Sequence, residues 1–300
     1  VLCDTAAVYT SNKVKGAPIT VTKANLEKSG KKSKAVIVNS KNANTCNADG
    51  VEKAAKMCQL TASELTAKGY EIKEEEVIVA CTGVIGQILP IEPIEDNMSA
   101  LVDGLSYEGN AKAANAIMTT DTVMKEYAVT FEVGGKSCVL GGMAKGSGMI
   151  HPNMATMLVF ITTDCAISSE MLSKALSTDV QTTFNMISVD GDTSTNDMVV
   201  VLANSMAGNT QITADGDDFD TFMKALNTVC VNLCRKIAAD GEGATKLLEC
   251  KVVGAESLDI AKTVAKSGVM CYIPIVRIFN RVRAGQPALI FIAEKSFRQF

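Results

Sequence analysis

Apolar, β-rich runs recur along the chain at 34–40, 76–83, 128–133, 156–163, 198–203 and 246–253. Their length and content of Val, Ile and Thr predict strands. The stretches between them carry a different period. Residues 217–238 place Phe219, Phe222, Met223, Leu226, Cys230, Leu233, Cys234 and Ile237 three or four positions apart, the stripe of an amphipathic helix, and 51–68 and 168–187 read the same way. Strands that alternate with helices predict an α/β or layered α+β fold. With 300 residues, 47% of them hydrophobic and 21% charged, the chain can bury one large core or two intimate ones. Intrinsic disorder and a small disulfide scaffold are excluded.

The formal net charge is −4, and no basic stripe occurs before residue 260, which argues against nucleic acid as a partner. No apolar run reaches the ~18 residues that span a bilayer, so no membrane partner is expected. The first residue is Val, with no charged-then-apolar leader after it, and the start reads as cut. Ten cysteines contain no Cys-X-X-Cys spacing and share the chain with a single histidine, His151. A zinc site needs four clustered N or S ligands, so the expectation is no metal and buried, reduced thiols in a cytoplasmic protein. Residues 266–300 differ from the body: they hold four of the five arginines and four of the nine phenylalanines.

The densest segment for chemistry is 134–164, GGKSCVLGGMAKGSGMIHPNMATMLVFITTD. A phosphate-cradling loop fails here because residue 130 is Thr, and a nucleophile elbow fails because Lys145 takes the first glycine position. Ser147 and His151 sit four apart in Gly-broken chain, which leaves a triad without defined geometry. A Thr at the mouth of a strand, behind Pro152, suits a self-processing nucleophile. Attack by the Thr156 hydroxyl on the Ala155 carbonyl would free an α-amine of pKa near 8, which can serve as the base. From the pattern alone, a plain core strand with Thr at its mouth is the favoured reading. Cys81-Thr82-Gly83 closes an apolar run and suits an oxyanion hole or a simple turn. Residues 188–197, SVDGDTSTND, miss the calcium-loop pattern because residue 195 is Thr, and read as polar turns.

Taken together, KGSGMIHPNMATML, CTGVIG, SVDGDTSTND, DGEGATK, NSKNANTCNADG and AIMTTDT resemble the glutamate N-acetyltransferase/ornithine acetyltransferase family of arginine biosynthesis, from residue 1 to about 265. The resemblance implies a self-processing, N-terminal-nucleophile-like acyltransferase fold. The chain would be cut between Ala155 and Thr156 into an α region (1–155) and a β region (156–265) that stay together, with a divergent tail at 266–300. Thr156 would take the acetyl group from N2-acetylornithine and pass it to glutamate. Thr82 and Gly83 match the oxyanion hole, and Thr119, Lys145, Thr156 and Glu242 match substrate-binding positions. No cofactor is implied, with acetyl-CoA open as a second donor, and the assembly implied is two copies of each cleaved half.

The resemblance also implies a fold incomplete at both ends, because family members begin upstream of Val1 and continue differently after about Ala265. Two other readings compete with acetyl transfer: a self-processing aminopeptidase or amidase with the same nucleophile logic, and a non-catalytic fragment of the family. The first would hydrolyse peptide amides, and the second would neither cleave itself nor form an acyl-Thr adduct.

Overall fold

The computed structural model describes residues 1–150 and 157–267, together with the backbone of 286–293. Its elements are β1 (Cys3–Tyr9), α1 (Ala17–Lys28), β2 (Lys32–Ser33), β3 (Ala35–Asn39), α2 (Gly50–Ala67), β4 (Val77–Cys81), α3 (Glu92–Asp103), α4 (Asn110–Ala116), β5 (Lys125–Val133), β6 (Lys136–Lys145), β7 (Leu158–Thr163), α5 (Ser169–Asp179), β8 (Ile187–Ser188), β9 (Met198–Ala203), α6 (Asp217–Ala239), β10 (Ala244–Val252) and β11 (Gln286–Ala293). The predicted mixed, layered class is the observed one.

A six-stranded sheet in the order β2-β1-β9-β7-β6-β5 forms the centre. Its β7–β9 pair is parallel and its other pairs are antiparallel. Successive residues of a strand face opposite sides, and both sides of this sheet are covered. Val159, Ile161, Val199 and Val201 pack with Leu172 and Leu176 of α5 and with Phe222, Leu226 and Leu233 of α6. Leu158, Phe160, Met198 and Val200 pack the other way, with Ile19 of α1 and with Ile78 and Ala80 of β4. Strand β4 pairs in parallel with β3 as a small second sheet. Its opposite face, Val77, Val79 and Cys81, meets Met57 and Leu65 of α2 and Met98 of α3. Each of the Val, Leu, Ile, Phe and Met side chains among these contributes about 1.5–3 kcal/mol by leaving water. A continuous apolar run is what a strand covered on both faces requires.

Two local solutions explain why this packing is possible. The edge of β4 away from β3 is covered by α1, whose Thr22 hydroxyl donates to the Val79 carbonyl (2.8 Å) and accepts from the Val79 amide (3.0 Å). The Asn25 amide donates to the Val77 carbonyl at 3.0 Å. An open strand edge is thereby satisfied by side chains. The second solution is in 134–148, where the Gly-rich backbone is mostly strand. Gly134 and Gly135 turn the β5–β6 hairpin at φ of 55° and 71°. Within β6, a Cβ on Gly142 would stand 2.9 Å from Ile161 Cγ1 and 3.2 Å from Leu233 Cδ1, so glycine lets α6 lie close against the sheet.

Strand β11 lies between β10 and β8 in a separate three-stranded sheet, which places 286–293 in a ladder. None of the described helices is long and apolar enough to cross a membrane.

Candidate active site

The site forms at the seam between the two sheets, where the carboxyl ends of β4 and β6 converge. Lys145 is the last residue of β6, and its side chain is buried. Its ammonium group donates to the Thr119 hydroxyl at 2.8 Å and to the Thr82 hydroxyl at 3.2 Å, and lies 3.8 Å from Asp121 Oδ2. Three sequence-predicted residues, Thr82, Thr119 and Lys145, are therefore brought together. Thr82 is buried and Thr119 is exposed, so the cation stands at the floor of the site with the Thr119 hydroxyl toward the rim. Burial pulls the Lys145 ammonium below the ordinary lysine range and Lys125 adds to this, while Asp121 and Asp197 oppose it.

Gly83 follows Thr82 directly, at φ of 130°. A Cβ there would overlap the carbonyl carbon of Lys41. Glycine is required on both counts. The 81–86 loop is laced to the 39–45 loop through Thr82 N–H to Asn39 O (2.9 Å), Val84 N–H to Lys41 O (3.0 Å) and Ala43 N–H to Val84 O (2.9 Å). Fixed backbone of this kind is the prerequisite of an oxyanion site.

Glu242 is exposed, and its amide donates to the Ser147 carbonyl at 2.8 Å. Its carboxylate lies over Gly148, so that a Cβ at 148 would stand 2.5 Å from Oε2. Glu242 thus flanks the strand exit two and three residues beyond Lys145. Ser147, a candidate nucleophile from its distance to His151, is buried and donates to the Asp240 carbonyl at 2.7 Å. That assigns it to backbone bracing. Ala155, Thr156 and His151 lie outside the described residues.

The segment 188–197, read as polar turns, is largely buried from Ser194 to Asp197 and grips the chain on either side of 151–156. Asp190 accepts from the amides of Met149 (2.5 Å) and Ile150 (2.9 Å), and Asp197 Oδ1 accepts from the Met157 amide at 2.8 Å. Asn196 spends its whole carboxamide on three loops. It donates to the carbonyls of Ala43 (2.6 Å) and Cys81 (2.9 Å), and accepts from the hydroxyls of Thr45 and Thr195, both at 2.6 Å. Asp197 Oδ2 is buried with no hydrogen-bond partner among the described residues. Burial pushes the Asp197 carboxyl up to about 8, against the pull of the Met157 amide and the Lys145 cation.

A second group that the sequence reading missed is an ion network behind Lys145. Lys125 is fully buried and pairs with Asp121 Oδ1 (2.7 Å) and Asp240 Oδ2 (2.6 Å). The Lys125 cation helps hold both carboxyls below the usual range against the opposing effect of burial. In sequence, Asp121 and Lys125 look like an ordinary surface pair four apart. No group of three or more His, Cys, Asp or Glu suited to a metal ion occurs among the described residues, and the nine described cysteines are free thiols.

Residues 1–271 match the profile of the ArgJ family. This chain belongs to the ArgJ family. It is 48% identical over 266 residues to the arginine biosynthesis bifunctional protein ArgJ of Symbiobacterium thermophilum, covering 88% of this chain and 64% of that protein. It is 47% identical over 279 residues to ArgJ 1 of Clostridium acetobutylicum, covering 93% and 67%. The chain thus spans about two thirds of the length of these ArgJ proteins. Among solved structures, it is similar to ArgJ of Bacillus halodurans (42% identity, TM-score 0.46, 52% of this chain and 78% of that one). It is also similar to the ornithine acetyltransferase of Mycobacterium tuberculosis solved with ornithine (32% identity, TM-score 0.43, 49% and 75%).

Proposed function

We propose that this chain carries the acetyl-transfer centre of an arginine-biosynthetic enzyme, moving the acetyl group of N2-acetylornithine to glutamate through an acetyl-Thr156 intermediate. The observation that carries the reading is the buried Lys145 cation on the hydroxyls of Thr82 and Thr119, at the end of the strand antiparallel to β7.

In this mechanism the Thr156 hydroxyl first adds to the Ala155 carbonyl, and the Ala155–Thr156 C–N bond breaks as the proton passes to the leaving nitrogen, which gives an ester. Hydrolysis of the resulting ester leaves a carboxyl on Ala155 and a free α-amine on Thr156. That amine, with a pKa near 8, takes the hydroxyl proton as Thr156 attacks the acetyl carbonyl of the donor. It returns the proton to the departing ornithine amine. The amine of glutamate then attacks the acetyl ester, the C–O bond to Thr156 breaks, and a proton from the glutamate amine passes through the α-amine to the Thr156 oxygen as N-acetylglutamate leaves. Preset donors at Thr82 and Gly83 stabilise the oxyanion of each tetrahedral intermediate, an effect on the order of 3–4 kcal/mol per donor in acyl transfer. Lys145 supplies a cation for the substrate carboxylate or the developing charge, Thr119 a hydroxyl at the rim, and Glu242 a partner for the substrate ammonium. The mixed parentage of the six-stranded sheet supports a complex of the two pieces that survives the cut. In this reading the assembly is two copies of each piece, working in the cytoplasm. Acetyl-CoA is open as a second donor, and the assay below decides it.

The test is the mass of the purified chain under denaturing conditions, followed by an assay of label transfer from N2-[14C-acetyl]ornithine to glutamate. Two fragments split between Ala155 and Thr156, with transfer abolished in Thr156→Ala, are expected; acetyl-CoA with glutamate tests the second donor. A single species of 31.7 kDa without an acyl adduct overturns the reading, as does hydrolysis of peptide amides without acetyl exchange.

A further inference from the structure

The hydrogen bonds around Lys145 converge on one buried carboxylate, that of Asp121. Asp121 Oδ2 accepts from the Thr119 amide at 3.2 Å and stands 3.8 Å from the Lys145 ammonium. Asp121 Oδ1 accepts from the Gly146 amide at 2.7 Å and from Lys125 at 2.7 Å. One buried side chain therefore holds the residue that presents a hydroxyl to Lys145, the residue that follows Lys145 in the chain, and the ammonium itself. We infer that Asp121 is the positioning residue that aims Lys145, and that the Lys125–Asp240 pair behind it ties the Lys145 side of the site to the Glu242 side.

The second half of the inference follows the same bonds outward. Asp240 ends α6 and accepts from Lys125, from the Thr122 amide (2.9 Å) and from the Thr122 hydroxyl. Its own carbonyl accepts from the Ser147 hydroxyl, and the Ser147 carbonyl accepts from the Glu242 amide. Lys145, Asp121, Lys125, Asp240, Ser147 and Glu242 thus form one bonded path. The charged groups that face Lys145 are Asp121 from the loop after α4, Lys125 from β5 and Asp197 from the loop before β9. Asp121 is the nearest opposite charge, and also the acceptor that fixes the Thr119 and Gly146 backbone. A buried ion pair of this kind is weak evidence for stability, since apolar replacements often serve as well. Its position next to two candidate substrate contacts fits a role in orientation.

The inference rests on the acetyl-transfer reading for its consequence in catalysis, but its core is a coupling that is measurable without turnover. In Asp121→Asn, an amide NH₂ would face the Thr119 N–H and the Lys145 ammonium in one orientation, and the Gly146 N–H and the Lys125 ammonium in the other, a donor against donors either way. The probe is the 13Cε resonance of Lys145 in the full chain, assigned by its loss in Lys145→Arg, and titrated from pH 6 to 11. The expected result is a Lys145 pKa lower by at least 1 unit in Asp121→Asn than in the unsubstituted chain. The reciprocal variant, Lys145→Met, is read on the Asp121 carboxyl carbon. Linkage requires a rise there of similar size, and this variant keeps the test alive should Asp121→Asn fail to fold. Shifts below 0.3 unit in a folded variant overturn the inference. Where the chain transfers acetyl groups, Asp121→Asn is expected to lower kcat at least tenfold, to move the alkaline limb of the pH–rate profile down, and to change KM less than threefold. A parallel loss of active fraction with unchanged kcat per folded site would instead mark a structural role. If the unsubstituted chain transfers nothing, the acetyl-transfer reading fails, while the two titrations still decide the coupling.

Discussion

Replacing Asp197 with Asn should remove a pH dependence of stability that this one buried carboxyl imposes. The group has an ordinary value of 3.8 and is pushed up to about 8 in the folded chain, chiefly by burial. A carboxyl raised on folding contributes stability that is complete below the unfolded pKa and is lost as pH rises toward the folded one. The window therefore runs from about pH 4 to about pH 8. Within it, the unfolded chain has released the proton and the folded chain still holds it, so stability falls by about 1.4 kcal/mol per pH unit, roughly 5 kcal/mol across the whole window. Asparagine copies the shape of the protonated acid and keeps an acceptor for the Met157 amide without the titration. The assay is urea unfolding at pH 5, 6, 7 and 8 at constant ionic strength, carried out in a Thr156→Ala background so that one covalent chain unfolds. The difference in unfolding free energy, Asp197→Asn minus its parent, should rise steadily with pH, because every other group titrates alike in both. A difference that stays flat within 0.5 kcal/mol per unit, or one that falls, would refute the reasoning. It would mean that Asp197 is ionised and satisfied in the folded protein.

Three further outcomes follow from the packing. Gly142→Ala should cost about 1–3 kcal/mol in chemical denaturation, because the added methyl meets the buried side chains of Ile161 and Leu233. Lys125→Met should cost about 3–5 kcal/mol near pH 7, since it strands two carboxylates, and should lose much less below pH 4 where they take up protons; urea melts at the two pH values check this. Ser168→Ala removes the hydroxyl that accepts the Met171 amide at the start of α5, and thermal melts should show a loss of about 1 kcal/mol.

How far the sequence could be read depended on whether one force governed a segment. Strands β4, β7 and β9 are covered on both faces, so their runs are apolar throughout and were legible, as was α6 with its single apolar stripe. Helix α1 is absent from that reading because its β-branched start and polar Thr22 and Asn25 leave no clean apolar stripe; those two residues are buried to serve the edge of β4, a demand set by tertiary structure. Strand β6 was hidden by Gly141 and Gly142, whose value lies in what packs over them. The helical period read over 168–187 holds only to Asp179, after which Phe184, Met186 and Ile187 keep the apolar spacing in a turn and a short strand. At the site, Lys145, Thr82 and Thr119 were found from motifs and come together in space. The supporting residues Asp121, Lys125, Asn196, Asp197 and Asp240 were not found. Their spacing resembles exposed turns and helix-surface pairs, and only burial distinguishes them.

The central sheet takes β1, β2, β5 and β6 from before residue 155 and β7 and β9 from after it, with β7 seated between β6 and β9. A cut between residues 155 and 156 would sever none of these ladders, yet it would change how the molecule can be made. Before the cut, β7 finds β6 within one chain, a short loop closure that does not depend on concentration. After the cut, the same pairing becomes an encounter between two molecules. Assembly would then run in one direction only: the sheet forms first, the backbone opens second, and a denatured, cut sample regains structure at a second-order rate that rises with dilution's reverse. Dilute refolding of the cut pieces should stall at concentrations where the uncut Thr156→Ala chain still recovers.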